Sequence, residues 1–339
     1  MMRPIMPVPI FNSRSLRLLH AVPTAADSEA LLGRIDFGLA LPPDDDPRRA
    51  RVGLEALGDA CASECWISTL PVRSGWHEGF GYAENGEALF AQIRVPEAQL
   101  GDLEGATQTL YQRLGRLLHD SGYPHIVRIW NFLSDINAGE GDGERYRRFT
   151  VGRHRALAAA DSAFEAALPA ATAIGTLEPD LVLYLLAGRH PGLQVENPRQ
   201  VSAFRYPREY GPKSPSFARA TLIGDGDAAR LLVSGTASIV GHESRHVGDP
   251  QRQLDEIIAN VDALLDSARQ HPLPGAAAGA RVESLKLYLR GDHEPVYASA
   301  LLRHLRGATD DTPLMVLRGD ICRRELLLEI EAVYAIDRA

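Results

Sequence analysis

Two carboxylates stand near the end of the chain where a strand ought to be apolar. Residues 326–334 read Leu-Leu-Leu-Glu-Ile-Glu-Ala-Val-Tyr, with apolar side chains in both phases of a two-residue period. As a strand, this segment puts Leu326, Leu328, Ile330 and Ala332 on one face and Leu327, Glu329, Glu331 and Val333 on the other. A buried charge without a partner is costly. Each glutamate must therefore be paired, reach water in a cleft, or keep its proton through a raised pKa. The last state is that of a general acid. The plainer alternative is a strand with one face in solvent and two hydrated carboxylates.

Other reactive side chains carry weaker signals. Cys322 lies seven residues before Glu329, and a lone cysteine ordinarily serves as a small hydrophobe. Cys61 and Cys65 are four apart, but no third or fourth ligand follows nearby, so no metal site is expected. No histidine has metal spacing. His242, after Gly241 in a polar loop, suits loop capping as well as orienting a carboxylate or a water. Gly224-Asp225-Gly226-Asp227 lacks the helix and the Lys-Ser/Thr of a phosphate loop and reads as a turn. Asp44-Asp45-Asp46 reads as a solvated loop.

The elements that must position these groups follow from periodicity. Residues 16–22 and 34–41 read as strands. Residues 81–95 read as a hairpin about Asn85-Gly86, the type I′ dipeptide. Apolar residues at 103, 106, 110, 114, 117 and 118 make a helical stripe. A strand at 125–133, a Gly-rich loop at 139–143 and a helix over 145–167 follow. Strands come next at 181–186 and 217–223, then 231–234 leading into a Gly/Ser/Thr-rich loop. Asp249-Pro250 is an N-cap with proline at the first helical position, ahead of an apolar face from Leu254 to Leu265. Leu285, Leu287 and Leu289 alternate as a strand. A helix at 295–305 and strands at 313–317 and 326–334 close the chain. The same grammar occurs twice, which predicts an α+β fold with helices on one face of mixed sheets. The expected division is 1–165 and 166–339.

Composition narrows the function. The chain has 339 residues, 45% of them apolar, enough for two domains or one duplicated domain. A formal net charge of −8 argues against a nucleic-acid partner. Lysine occurs only at 213 and 286, so nearly every cation is an arginine, whose fork matches carboxylates bidentately. Three cysteines without a framework suggest a reducing compartment. Residues 1–10 are broken by Pro4, Pro7 and Pro9 and do not form a signal peptide's apolar core. No apolar run approaches a membrane span. The expected location is the cytoplasm.

The second half resembles the YjgF/Rid family in Tyr210-Gly211-Pro212-Lys213-Ser214-Pro215-Ser216-Phe217-Ala218-Arg219-Ala220, in Leu232-Val233-Ser234-Gly235-Thr236 and in Glu329-Ile330-Glu331-Ala332. It departs from that family at Leu314, about where its deaminases keep a carboxylate-binding arginine. The whole chain resembles a narrower family, the chorismatases, which include bacterial 3-hydroxybenzoate synthases. The blocks are Val127-Arg128-Ile129-Trp130-Asn131-Phe132, Glu144-Arg145-Tyr146-Arg147-Arg148-Phe149 through Gly152-Arg153, and Ala171-Thr172-Ala173-Ile174-Gly175-Thr176. Further blocks are Glu196-Asn197-Pro198-Arg199-Gln200-Val201-Ser202-Ala203, Tyr206-Pro207-Arg208-Glu209-Tyr210-Gly211-Pro212, Ser234 to His242, and Ile321-Cys322-Arg323. The first 120 residues match more loosely.

This resemblance implies two Rid-like (chorismate-mutase-like) sandwich halves and removal of pyruvate from chorismate, with no cofactor. The products it implies are 3-hydroxybenzoate and any accompanying 4-hydroxybenzoate. Glu329 falls on the family's catalytic acid, with Glu331 supporting it or paired with an arginine. Tyr146 and Arg153, and Tyr206 and Arg219, fall on motifs that hold the substrate, with Tyr210 a weaker candidate. Cys322, and Gly235 in place of alanine, resemble the 3-hydroxybenzoate-forming subgroup, and Cys322 would add to or steer the ring intermediate. Leu327 and Val333 are expected to desolvate Glu329. A Rid-like enamine/imine deaminase and a non-catalytic small-molecule binder are the competing readings. The choice between monomer and trimer stays open.

Overall fold

The computed structural model describes residues 11–21, 23–58, 62–225, 228–271, 277–291 and 296–338. Cys61, Gly226, Asp227 and the arm at 1–10 lie outside these. A six-stranded sheet has the order Ala170–Thr176, His125–Ser134, Asp180–Gly188, Ala88–Pro96, Phe80–Glu84, Arg73–His77. A seven-stranded sheet has the order Leu193–Val195, Ala220–Ile223, Arg230–Ala237, Leu328–Arg338, Ala277–Leu289, Leu314–Arg318, Glu55–Ala56. Each sheet contains the same motif: a hairpin, a helix, a strand, a helix, a parallel strand and a last strand inserted centrally. The duplication expected from the repeated grammar is thus present in the topology.

The helices form where caps and stripes call for them. Asp102 accepts from the Gly105 N–H to start the helix Leu103–Ser121. Gly122, left-handed at φ 76°, ends it. Its buried stripe, with part of Arg145–Ala160, packs on one face of the six-stranded sheet. Asp249 starts Pro250–Ala268 by accepting from the Arg252 N–H, and this helix packs with Val296–His304 on the seven-stranded sheet. The inner faces of both sheets meet in a central core that contains Phe37, Trp130, Phe132, Tyr184, Tyr288 and Val333. A four-stranded sheet, Leu16–Leu19, Ser63–Ser68, Leu31–Phe37, Arg49–Val52, contributes to that core.

Several expectations are corrected. The strands Ala170–Thr176 and Asp180–Gly188 pair with the first half's His125–Ser134 and Ala88–Pro96. A division at 165 parts these two strands from the sheet they pair in, which ends at Gly188 before Leu193–Val195 begins the strands of the other sheet. The predicted helix over 145–167 stops at Ala160, and Phe164–Ala167 is a separate 3-10 turn. The hairpin turn is a three-residue loop in which Gly86 alone has positive φ, at 87°. The Asn85 side chain accepts from the Glu87 and Ala88 N–H groups, which favours this loop over type I′. The acidic loop is paired rather than merely solvated: Arg48 holds Asp46 and Arg49 holds Asp44.

Candidate active site

The strand Leu328–Arg338 lies centrally in its sheet, between Arg230–Ala237 and Ala277–Leu289. Leu328, Ile330, Ala332 and Tyr334 face the helices. Glu329, Glu331 and Val333 face the centre of the molecule, and both glutamates are 4% exposed. The solvent-facing alternative is therefore excluded. Leu327 precedes the strand, donates its N–H to Gln253 Oε1 and packs with the helix-side core. It does not desolvate Glu329, because the strand's alternation begins only at 328. On the last strand of the first repeat, the same phase holds Asp180, Val182, Tyr184 and Leu186, and its one acid, Asp180, is bound by Arg94.

The two glutamates have opposite surroundings. Glu331 accepts from Lys286 Nζ at 2.8 Å, Arg128 Nη2 at 2.8 Å, Trp130 Nε1 at 2.9 Å and Thr172 Oγ1 at 2.6 Å. Burial alone would raise its pKa, but Lys286 and Arg128 outweigh that and hold it at about 2. Among the described residues no hydrogen bond or ion pair is made to the Glu329 carboxyl. Burial, reinforced by the Glu331 charge, pushes its pKa up to about 8, against the weaker pull of Arg128 and Arg219. Glu329 is a neutral acid at pH 7, while Glu331 is an anion.

Opposite Glu331 the strand Arg230–Ala237 bulges, since Val233 pairs with Ala332 but Thr236 pairs with Ile330, and regular pairing resumes with Ala237 at Glu329. The extra residue lies at Ser234-Gly235, beside the acid. A Cβ on residue 235 would overlap a carboxyl oxygen of Glu329, so glycine makes room for the acid.

Glu329 borders a cavity of about 450 Å³ between the two repeats. Tyr146, Tyr206, Arg219, Gly235 and Cys322 line it as well. A narrow extension past Tyr146, Cys322 and Glu329 reaches Arg153 and Thr172. All six residues singled out in the sequence thus meet in one place. Arg219 donates through Nη2 to the Tyr206 hydroxyl at 2.7 Å and to the Val201 carbonyl at 2.8 Å. Its guanidinium lies by the Tyr206 and Phe217 rings, and that of Arg153 by the Tyr111 ring. The Nε atoms of both arginines are buried with no protein partner among the described residues. Burial pushes the Cys322 thiol up to about 12, with Glu329 adding to the shift. Burial, with Cys322 and Glu329, likewise raises the Tyr146 phenol. The acid's immediate neighbours on this side thus keep their protons.

Some site residues carried no assigned role in the sequence. Arg323 lines the mouth, 4.0 Å over the Tyr210 ring, and donates to the His242 carbonyl. His242 shares a contact with the Tyr210 hydroxyl, Nδ1 to O 3.3 Å, and so belongs to the mouth. Arg208 and Asp142 form a bidentate pair, 2.9 and 2.5 Å, between two segments that border the mouth. Lys286 was legible only as one of two lysines, set in an alternating apolar strand. Leu314 packs with the helix-side core, so no cation stands there for the deaminase reading. Among the described residues no group of three or more His, Cys, Asp or Glu could hold a metal, and no helix is long and apolar enough to cross a membrane.

The chain is 38% identical over 320 residues to a chorismatase of Streptomyces rapamycinicus, covering 91% of this chain and 93% of that protein. It is 35% identical over 279 residues to a 3-hydroxybenzoate synthase of Streptomyces hygroscopicus, covering 80% and 81%. The chain belongs to the chorismatase family. Residues 64–187 match the family model for "Chorismatase FkbO/Hyg5-like, N-terminal", which ends where the first repeat ends. A chorismatase crystal structure superposes with a TM-score of 0.83 at 32% identity, covering 94% of this chain and 98% of that one. Membership in the chorismatases accounts for the α+β architecture and for the ordered blocks of resemblance.

Proposed function

We propose that this chorismatase cleaves chorismate to pyruvate and 3-hydroxybenzoate, with Glu329 as the general acid. One observation carries the reading: a buried carboxyl that keeps its proton at neutral pH faces a cavity lined by Arg219, with Arg153 in the narrow pocket beside it. Chorismate carries two carboxylates, and Arg153 and Arg219, each with an unpaired buried Nε, have the chemistry to hold them. Tyr206 is already seated on Arg219, and Tyr146 adds a protonated hydroxyl beside the acid.

The enolpyruvyl ether of chorismate is nearly inert until its methylene carbon is protonated. Glu329 delivers that proton and leaves an oxocarbenium, which turns pyruvate into a leaving group. The ring hydroxyl next to the ether displaces it: its oxygen bonds to the ether carbon as that carbon–oxygen bond breaks. The bonding electrons stay with pyruvate and complete its keto group, and the hydroxyl proton returns to Glu329. The cyclic ether then opens, a ring C–H proton is lost as the ring aromatises, and the freed oxygen takes up one proton to become the phenol hydroxyl. No water is consumed, so the atoms of chorismate equal those of the two products. Fixing both carboxylates lets the acid meet one carbon only. Cys322 keeps its proton and is not a thiolate, so it acts by steering the ring intermediate rather than by adding to it.

The test is incubation of the protein with chorismate, with pyruvate assayed enzymatically and aromatic products separated by chromatography. Absence of pyruvate would leave a non-catalytic binder. Two variants probe the product choice. Cys322→Ala is expected to move products away from 3-hydroxybenzoate, and an unchanged ratio would remove Cys322 from the site. Gly235→Ala is expected to displace the Glu329 carboxyl, slow pyruvate release about tenfold and admit water to the intermediate as dihydroxy-diene. An unchanged rate and ratio there would mean that the carboxyl has room to spare.

A further inference from the structure

We infer that Glu331 is a positioning residue whose locked negative charge keeps the Glu329 proton in place for catalysis. The inference rests on the reading of Glu329 as the acid and extends it to residues that never touch substrate. Two residues apart on one strand, the glutamates share its inward face. When two carboxyls lie this close, one ionises and the other holds its proton, and the surroundings decide which. Here the choice is one-sided. Four donors from three other strands converge on the Glu331 carboxyl, and among the described residues none bonds to the Glu329 carboxyl.

The lock reaches beyond the site. Lys286 also binds Glu64 at 2.7 Å, and Glu64 accepts from Trp66 Nε1 at 3.2 Å. Glu64, Lys286, Glu331 and Arg128 therefore make a closed set of two anions and two cations. His20 lies 3.9 Å from Glu64, and burial lowers its pKa against the pull of Glu64. Tyr184 and Tyr288, buried beside the set, keep their protons because burial raises both. Thr172 ties the lock to the acid: it donates to Glu331 and accepts from Arg128 and from the Gly235 N–H at 3.1 Å. Facing Glu329 itself are Glu331 on its own strand, Arg128 and Arg219 from neighbouring segments, Tyr146 from its helix and Cys322 from the preceding turn. Of these, Glu331 is the one anion.

Glu331→Gln tests the idea, because it removes the charge, keeps the shape and leaves Lys286 its pair with Glu64. In the wild type, kcat/KM for pyruvate release should be level at acid pH and fall above about 8, as the acid ionises. In the variant that alkaline limb should move down by about one to two pH units. Activity relative to wild type should drop about fivefold to fiftyfold at pH 8 and return to within about threefold near pH 5.5. A uniform loss at every pH with an unmoved limb would overturn the inference and leave Glu331 a structural ion. Should Glu331→Gln not fold, Lys286→Met with Glu331→Gln removes one charge of each sign and must show the same downward limb. Inactive Glu329→Gln beside an unmoved limb sinks this inference alone. Active Glu329→Gln sinks the acid reading itself.

Discussion

Pyruvate release from chorismate is expected to fall about a thousandfold on replacing Glu329 by Gln, while chorismate still binds. The amide matches the carboxyl in shape but has no proton acidic enough for carbon, and Arg153 and Arg219 are untouched. Steady-state assays and calorimetric titration of the variant check the two halves of this result, and normal turnover would end the mechanism. A stability effect of opposite sign accompanies it. The raised pKa of about 8 means that the folded protein holds a proton that the unfolded chain gives up near pH 4.5. That contribution is present below the unfolded value and is lost as pH rises through the folded one. Glutamine stays neutral throughout. Thermal melts should therefore show Glu329→Gln near wild type at pH 5 and progressively more stable towards pH 8, by an amount on the order of a few kcal/mol. The wild type gives up that stability to keep an acid in a desolvated place.

Arg219→Met is expected to raise KM for chorismate about tenfold to a hundredfold, with a smaller effect on kcat. Arg219 is 5% exposed, pinned by the Tyr206 hydroxyl and the Val201 carbonyl, and flanked by two aromatic rings. A carboxylate that meets a prearranged guanidinium gains a charge-assisted bond without the cost of ordering a long side chain. Lysine at this position should not restore affinity, since it has neither the fork nor the flat face for the rings. The pH profile separates this variant from Glu331→Gln. Arg219 pulls the Glu329 pKa down, so its loss should move the alkaline limb upward. An unchanged KM would place the substrate carboxylates elsewhere.

Much of this was legible in the residues. The alternation around Glu329 and Glu331 identified an inward face, and the capping signals at Asp102 and Asp249 located two helices. Tyr146, Arg153, Tyr206 and Arg219 were legible through family motifs, not through spacing alone. Other features have no local signature. The lock on Glu331 draws Glu64, Arg128, Thr172 and Lys286 from four separate strands, and no window of sequence holds two of them at a telling distance. The strand Ser63–Ser68 hides its type because every residue is buried, polar and apolar alike, so neither face is marked. Leu327 appeared to share a face with Glu329 only because the strand was started two residues early. The division at 165 followed a helix end, whereas the sheet recruits the next two strands.

The closed set of buried charges has a consequence for how the enzyme comes to be active. Glu64 and Arg128 belong to one side of the 188–193 boundary, Lys286 and Glu331 to the other. Two of the three ion pairs, Lys286–Glu64 and Arg128–Glu331, cross that boundary, and only Lys286–Glu331 lies within one side, so neither side alone neutralises its ions as the whole does. The acid therefore acquires its working environment only when the two pieces come together. Separately prepared fragments cut at that point should each be inert, and any activity on mixing would count assembled molecules one for one.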